Sequence, residues 1–367
     1  MYLKITTEEF AHCVETTARF AGKGSASLPV LSCVLIVAGD DGVKFRATNL
    51  EIGIDKGAVA DVKSTGIAAV PALVLKDLAS SLPRLGTLEL EKSGDTLSIR
   101  FPGGKTIIKT LSHDDFPTLP YPDESTGIKT TLSGTVLKSL ISSVISCASV
   151  STVRPELASV FLKAAGGALT SVATDSFRLS EKRAGITGLS KQFSILIPAR
   201  NTHDFLSALT DEEVTLVVSE HQCAAFQGKT AVTTRLTSGT YPDYTQIIPK
   251  TFSTEATVLR KDFEQALRRG VVFSDAFQKV RLTLDPKKKT IGISSRNTDR
   301  GESSEEIKAA VAGEALELSF NHRYLQTPLS VTSVESISLS AAGPGRPLVI
   351  RGSGDTSFLY LVMPMNQ

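Results

Sequence analysis

Apolar and polar positions along this chain follow two rhythms, and the pair of rhythms occurs three times. Helix-like spacing, with apolar side chains three and four apart, begins near Thr7, Thr135 and Arg260, at steps of 128 and 125 residues. A second set begins near Pro71, Pro198 and Asn321, at steps of 127 and 123 residues. Each second helix follows its partner by 64, 63 and 61 residues. Two interleaved ladders with one period predict three copies of a unit of roughly 125 residues.

The periodicity has particular carriers. Thr6 with Glu9 three residues on is a capping-box pattern ahead of Phe10 and Val14. Val136, Leu137, Leu140, Ile141, Val144 and Ile145 form one stripe, and Phe263, Ala266, Leu267 and Val271 another. The second set carries Val74, Leu75, Leu78 and Leu82, then Phe205 and Leu209, then Tyr324 and Leu325. Pro71 and Pro198 stand where a first-turn proline is tolerated. Pro328 is expected to shorten or kink the last helix.

Between these stretches the period falls to two. Residues 87–91 and 96–100 flank a Ser93-Gly94-Asp95 turn and read as a hairpin. Residues 214–218, 280–284, 291–294 and 336–339 alternate in the same way. Each unit is therefore expected to be α+β, two helices against antiparallel sheet. Proline-bearing segments at 116–127 and 248–255 separate the units, giving expected domains at 1–121, 128–249 and 254–367. Repetition at this size points to a symmetric assembly rather than a single catalytic cleft.

Composition narrows the picture. With 41% hydrophobic and 21% charged residues, each third can bury an ordinary core. Met1-Tyr2-Leu3-Lys4-Ile5 runs into a strand without the apolar stretch of a signal peptide, and the apolar-leaning run 28–39 is too short to span a bilayer. A cytoplasmic protein with no membrane partner is expected. Cys13, Cys33, Cys147 and Cys223 show no paired spacing and read as buried thiols.

Enzyme signatures are missing. Gly22-Lys23-Gly24-Ser25 lacks the spacing of a phosphate loop, and Gly352-Ser353-Gly354 lacks the third glycine of a dinucleotide loop. There is no GxSxG or HExxH. His221 and Cys223 would share a strand face, but two ligands do not make a zinc site. No cofactor and no metal is expected.

A resemblance appears in five short motifs taken in order. Asn49-Leu50-Glu51, Asp115-Phe116-Pro117, 173–179 (Ala-Thr-Asp-Ser-Phe-Arg-Leu), Tyr241-Pro242-Asp243-Tyr244 and the terminal Met363-Pro364-Met365 resemble, in order and spacing, the bacterial DNA polymerase III beta subunit, the sliding clamp. The resemblance runs the length of the chain. It implies a non-catalytic head-to-tail homodimer of three-domain subunits. The implied ring has helices inside and sheets outside, encircles duplex DNA without sequence preference and tethers a polymerase to it.

The charge distribution can be set beside that expectation. The six helical stretches carry a formal total of +5 against +2 for the whole chain, leaving −3 elsewhere. Basic helices suit an inner wall facing phosphates. Clamps of this family are usually acidic overall, and this chain departs from that. Lys23, Lys138, Arg154, Arg200, Arg268 and Arg269 are the candidate phosphate contacts. Lys287-Lys288-Lys289 reads as a solvated turn.

The resemblance also implies a partner pocket for motifs of the type Gln-Leu-x-Leu-Phe, borne by the polymerase III alpha subunit, the clamp loader and other proteins. Carried over position by position, it comprises Leu157, Thr174, Asp175, Ser176, Phe177, Arg178, Leu179, Pro242, Gln246, Ile247, Phe277, Asn321, Tyr324, Val362, Met363, Pro364 and Met365. An apolar slot with a few polar groups suits such a peptide, and methionine adapts to many sequences. Ser176-Phe177 replaces the family's usual Gly-His, Gln246 replaces a frequent arginine, and the tail ends Asn366-Gln367. Arg154-Pro155-Glu156 lacks the aromatic of some relatives. By the same resemblance the subunit interface would set Ile107 and Ile108 against Val271 and Val272, with Glu302, Glu305 and Glu306 nearby. The departures keep open an auxiliary clamp with altered partners, and an unrelated repeat-built enzyme remains the third reading.

Overall fold

Six α-helices form among the described residues, each starting within one residue of the position the periodicity predicts. They are α1 (Thr7–Thr17), α2 (Ala72–Ser81), α3 (Gly134–Ser142), α4 (Ala199–Ser207), α5 (Arg260–Val271) and α6 (His322–Val331). The structure is a computed structural model describing residues 1–22, 28–83, 85–123, 125–187, 189 and 191–365.

The caps depart from expectation in detail. Thr6 accepts from Glu9 N at 3.3 Å, but the Glu9 carboxylate takes the Val59 amide at 3.1 Å, so the capping box is half made. Pro71 and Pro198 sit at the N-cap with extended backbones (ψ 120° and 124°), not in the first turn. Both end a strand, and a proline needs no ladder donor there. The α3 stripe outruns its helix. Ser142 is the last helical residue, and Val144 and Ile145 belong to a turn and to the 3-10 segment Ile145–Cys147. On α2 the buried face is Ala72, Leu75 and Ala79, while Val74 is exposed.

The helices pack in two compact units, Met1–Lys138 with Ala164–Gly167 and Ile186–Thr237, and Ser139–Lys163 with Ala168–Gly185 and Ser238–Gln367. In the first, an antiparallel sheet runs in the order Ile128–Ser133, Glu213–Val218, Gln222–Gln227, Thr230–Arg235, Ile52–Ala58, Gly42–Thr48, Cys33–Gly39, Gly66–Pro71. A five-stranded sheet runs Ala60–Ser64, Tyr2–Thr6, Thr87–Ser93, Thr96–Phe101, Gly104–Lys109. In the second unit, the order is Ala168–Thr174, Arg178–Gly185, Phe358–Val362, Leu348–Gly352, Ser336–Ala341, Thr254–Leu259, Ala310–Gly313. A four-stranded sheet there runs Gly301–Lys308, Thr290–Asn297, Lys279–Asp285, Leu316–Asn321.

The two compact units cut across the three expected repeats. Strand Ile52–Ala58 of the first repeat pairs with Thr230–Arg235 of the second, and Arg178–Gly185 of the second pairs with Phe358–Val362 of the third. A continuous ladder buries each boundary in a sheet, so compactness does not follow the repeat period. The repeats survive locally. Asn49 Oδ1 accepts from Glu51 N and Ile52 N, Asp175 Oδ1 from Phe177 N and Arg178 N, and Asn297 Oδ1 from Asp299 N and Arg300 N. These turns add a third ladder, at steps of 126 and 122 residues.

The four cysteines are buried and unbridged. Burial pushes the thiols of Cys13, Cys147 and Cys223 up to about 12 and that of Cys33 to about 11. His221 is exposed and precedes the strand that carries the buried Cys223. Among the described residues no helix is long and apolar enough to cross a membrane.

Candidate functional site

The loop between strands Ala168–Thr174 and Arg178–Gly185 organises the site. Thr174 Oγ1 donates to Arg178 O at 2.7 Å and accepts from Ser176 N at 3.2 Å. Asp175 caps the turn from within, taking two amides on one oxygen and Arg178 Nε on the other at 2.9 Å. Ser176 is forced to φ 78°. Phe177 is left at the tip, 61% exposed.

Arg178 joins this loop to α6. Its Nη1 donates to Thr327 Oγ1 at 2.9 Å, its Nη2 to Ser146 O at 2.6 Å, and its guanidinium lies 4.6 Å from the centre of the Tyr324 ring. Burial works most strongly against its charge, but the Asp175 carboxylate, together with Cys147 and Tyr360 nearby, outweighs it and the pKa shifts upward. A guanidinium held from four directions is a rigid wall with an aromatic face on it.

The last strand completes the arrangement. Met363 N donates to Phe177 O and Met365 N to Ser319 O, both at 2.8 Å. These bonds hold the half-buried Met363, Pro364 and Met365 between the loop and strand Leu316–Asn321. Tyr324 itself is half-buried on the first turn of α6, whose N-cap Asn321 accepts from Arg323 N at 2.9 Å. Asn321 is thereby committed to capping.

Further candidates fall into two groups. Leu157, Leu179 and Val362 are 4%, 0% and 0% exposed, so they are floor rather than lining, a correction to their expected role. Ile247 and Phe277 are 48% and 72% exposed, and Pro242 is exposed as well. Gln246 Nε2 donates to Asp243 Oδ2 at 2.9 Å, so its amide is already engaged. Tyr241 stacks on Phe161 at 4.8 Å, and Tyr244 donates to Glu181 at 2.5 Å, anchoring the 242–247 segment. Phe277 precedes Gln278, whose carbonyl takes the His322 amide at 2.9 Å and whose side chain meets His322 Nε2 at 2.6 Å. Three exposed apolar side chains near polar anchors suit an amphipathic peptide, not a reaction.

Sequence reasoning missed Thr327, Ser146 and Tyr360. Tyr360 Oη donates to Tyr324 O at 2.7 Å. Pro328 was the signal, because it removes the amide that would otherwise bond that carbonyl.

The basic candidates among the described residues are each ion-paired. Lys138 meets Asp211 at 2.9 Å, Arg154 meets Glu156 at 2.9 Å, Arg200 meets Glu51 at 3.3 Å and Arg268 meets Glu264 at 2.6 Å. Arg269 and Glu305, expected in different roles, form a two-pronged pair with each other at 2.5 and 2.7 Å. Lys23 and the tail residues Asn366 and Gln367 lie outside the described residues. Of the interface candidates, Ile107 is 60% exposed and Val272 58%, whereas Ile108 is 6% exposed and faces the core. Strand alternation puts only one of two neighbouring isoleucines outside. Val271 is half-buried, Glu302 is exposed 3.9 Å from Arg296, and Glu306 pairs with Lys288 at 2.7 Å.

Comparison with known proteins adds a separate line. Three family models match in succession: DNA polymerase III beta subunit N-terminal domain over residues 1–120, central domain over 131–243 and C-terminal domain over 245–366. The beta sliding clamp of Synechocystis is 30% identical over 363 residues, covering 92% of each chain. That of Bacillus subtilis is 29% identical over 355 residues, covering 92% of this chain and 93% of the other. Among solved structures, a sliding clamp (DNA polymerase III subunit beta) from Pseudomonas aeruginosa bound to griselimycin superposes with a TM-score of 0.94 at 25% identity, covering both chains fully. The DNA polymerase sliding clamp of Bacillus subtilis gives 0.93 at 27% identity, covering 100% and 99%.

Proposed function

From the premise that the chain belongs to the DNA polymerase III beta subunit family, the beta sliding clamps, we propose how it works as a processivity factor. It is a non-catalytic clamp. As a head-to-tail homodimer it closes a ring around duplex DNA and tethers the polymerase III alpha subunit. The clamp loader and repair proteins with Gln-Leu-x-Leu-Phe-like motifs dock at the same place. Domains at 1–121, 128–249 and 254–367 are the proposed repeats. Family membership removes the unrelated enzyme from consideration.

The observation that carries the partner reading is the bonding of Phe177, Arg178, Tyr324 and Met363 into one array. A motif's leucine and phenylalanine would rest on Tyr324, Met363 and Met365, flanked by Ile247 and Phe277. Phe177, where relatives carry histidine, widens the apolar surface and favours motifs with an added apolar residue. That feature, with Gln246, supports the second reading of an auxiliary clamp. Replacing the host's main clamp with this chain separates the two.

DNA contact rests on Lys23, Lys138, Arg154, Arg200, Arg268 and Arg269. The ion pairs of Lys138, Arg154, Arg200, Arg268 and Arg269 are each worth about 0–1 kcal/mol, so a phosphate can exchange for a carboxylate at little cost. Such loose, sequence-independent contact suits a ring that slides.

The direct test of the pocket is fluorescence polarisation with a labelled Gln-Leu-Ser-Leu-Phe peptide. Saturable binding around the micromolar range is expected, weakened about tenfold or more by Met365→Ala and by Tyr324→Ala. Folded protein that leaves the peptide free, or variants that bind as wild type does, would overturn this pocket.

A further inference from the structure

Pro328 lies inside α6, two thirds of the way along a helix that nevertheless continues to Val331. A proline there has no amide to give the carbonyl four residues back, and its ring crowds that carbonyl. The carbonyl is that of Tyr324, whose side chain stands in the pocket. A break at this point would normally let the first turn of α6 splay.

The break is closed from another element. Tyr360, wholly buried on strand Phe358–Val362, donates its hydroxyl to Tyr324 O at 2.7 Å. Burial raises the hydroxyl's pKa well above its ordinary value, so it remains a donor at physiological pH. The same turn is also held by Arg178, which bonds Thr327 beside the proline and covers the Tyr324 ring. Thr327 in turn donates to Arg323 O at 3.1 Å. The strand carrying Tyr360 leads directly into Met363 and Met365.

We propose that Tyr360 is a positioning residue for partner binding: its hydroxyl replaces the amide lost at Pro328 and fixes Tyr324 against Arg178 in the peptide-receiving geometry. Tyr360 does not touch the peptide. It acts by locking one wall of the pocket to the strand that supplies the other. A pocket whose walls are held before the peptide arrives loses less freedom on binding. This inference rests on the pocket reading above.

The geometry dictates a rescue. Tyr360→Phe leaves the Tyr324 carbonyl without a donor. Pro328→Ala restores the helix's own donor and makes the hydroxyl dispensable. The experiment uses the full chain as wild type, Tyr360→Phe, Pro328→Ala and the double variant. It reads Kd for the labelled Gln-Leu-Ser-Leu-Phe peptide well below every unfolding midpoint, and the four unfolding midpoints without peptide. Tyr360→Phe is expected to raise Kd about tenfold, and the double variant to return to within about twofold of Pro328→Ala. Wild-type affinity in Tyr360→Phe, or a double variant as weak as Tyr360→Phe, would overturn the proposal. If wild type binds no peptide, the pocket reading fails. The midpoints then decide the coupling alone: recovery in the double variant supports the Tyr360–Pro328 compensation, and additive losses refute it.

Discussion

Ser176 illustrates how much a single residue of this site is constrained. Its φ of 78° lies in the left-handed region, and Leu50 holds the same geometry in the first repeat at φ 77°. The family's usual glycine at the Ser176 position has a backbone reason. A side chain there costs about 1–2 kcal/mol, more than the roughly 0.4–1 kcal/mol of chain entropy that glycine adds to the unfolded state. Ser176→Gly is therefore expected to raise the unfolding midpoint by about 1–3 °C, read by calorimetry. A lower midpoint would mean that the Ser176 side chain contributes something the turn geometry does not reveal. The motif that carries Ser176 was readable from the chain, as were Arg178 and Tyr324. Thr327, Ser146 and Tyr360 were not. Their roles arise from partners 149, 32 and 36 residues away, which no local spacing encodes.

At the scale of elements, helix starts were legible and helix ends were not. Starts carry chemical signals such as Thr6, Pro71, Pro198 and Asn321. Past Ser142 the apolar spacing persists because a 3-10 turn also returns side chains to the core at three-residue intervals. Strand edges carry information of another kind. Gly104–Lys109 ends the five-stranded sheet and exposes Lys105, Ile107 and Lys109. Gly301–Lys308 ends the four-stranded sheet and exposes Glu302 and Glu306. Unpaired edges invite strand addition, and here one is basic and the other acidic. We expect them to meet between subunits, which would add Lys105 and Lys109 to the interface candidates Ile107, Glu302 and Glu306. Lys105→Glu with Lys109→Glu should weaken the dimer about tenfold or more at low salt, and adding Glu302→Lys with Glu306→Lys should restore it. Sedimentation velocity reads the outcome, and an unchanged dimer in the first variant would place the interface elsewhere.

For the whole molecule, the period identified the repeated unit but not the way units join. Successive repeats share ladders, through Ile52–Ala58 with Thr230–Arg235 and Arg178–Gly185 with Phe358–Val362. Pairing between segments about 180 residues apart is invisible to a reading that works in windows. The two junctions are built alike yet chemically different. Met363 N bonds Phe177 O at one, and Arg235 N bonds Glu51 O at the other. Where the second junction offers Arg178, Tyr324 and methionines, the first offers Glu51 paired with Arg200, so the proposed partner pocket is expected at the second junction only. In the proposed ring, DNA is enclosed rather than gripped. This is tested by loading the protein onto a nicked circular plasmid with its host's clamp loader, then cutting the plasmid and following both by gel filtration. Co-elution with the circle and release after linearisation is the result expected of a ring. Equal retention on circular and linear DNA would contradict it.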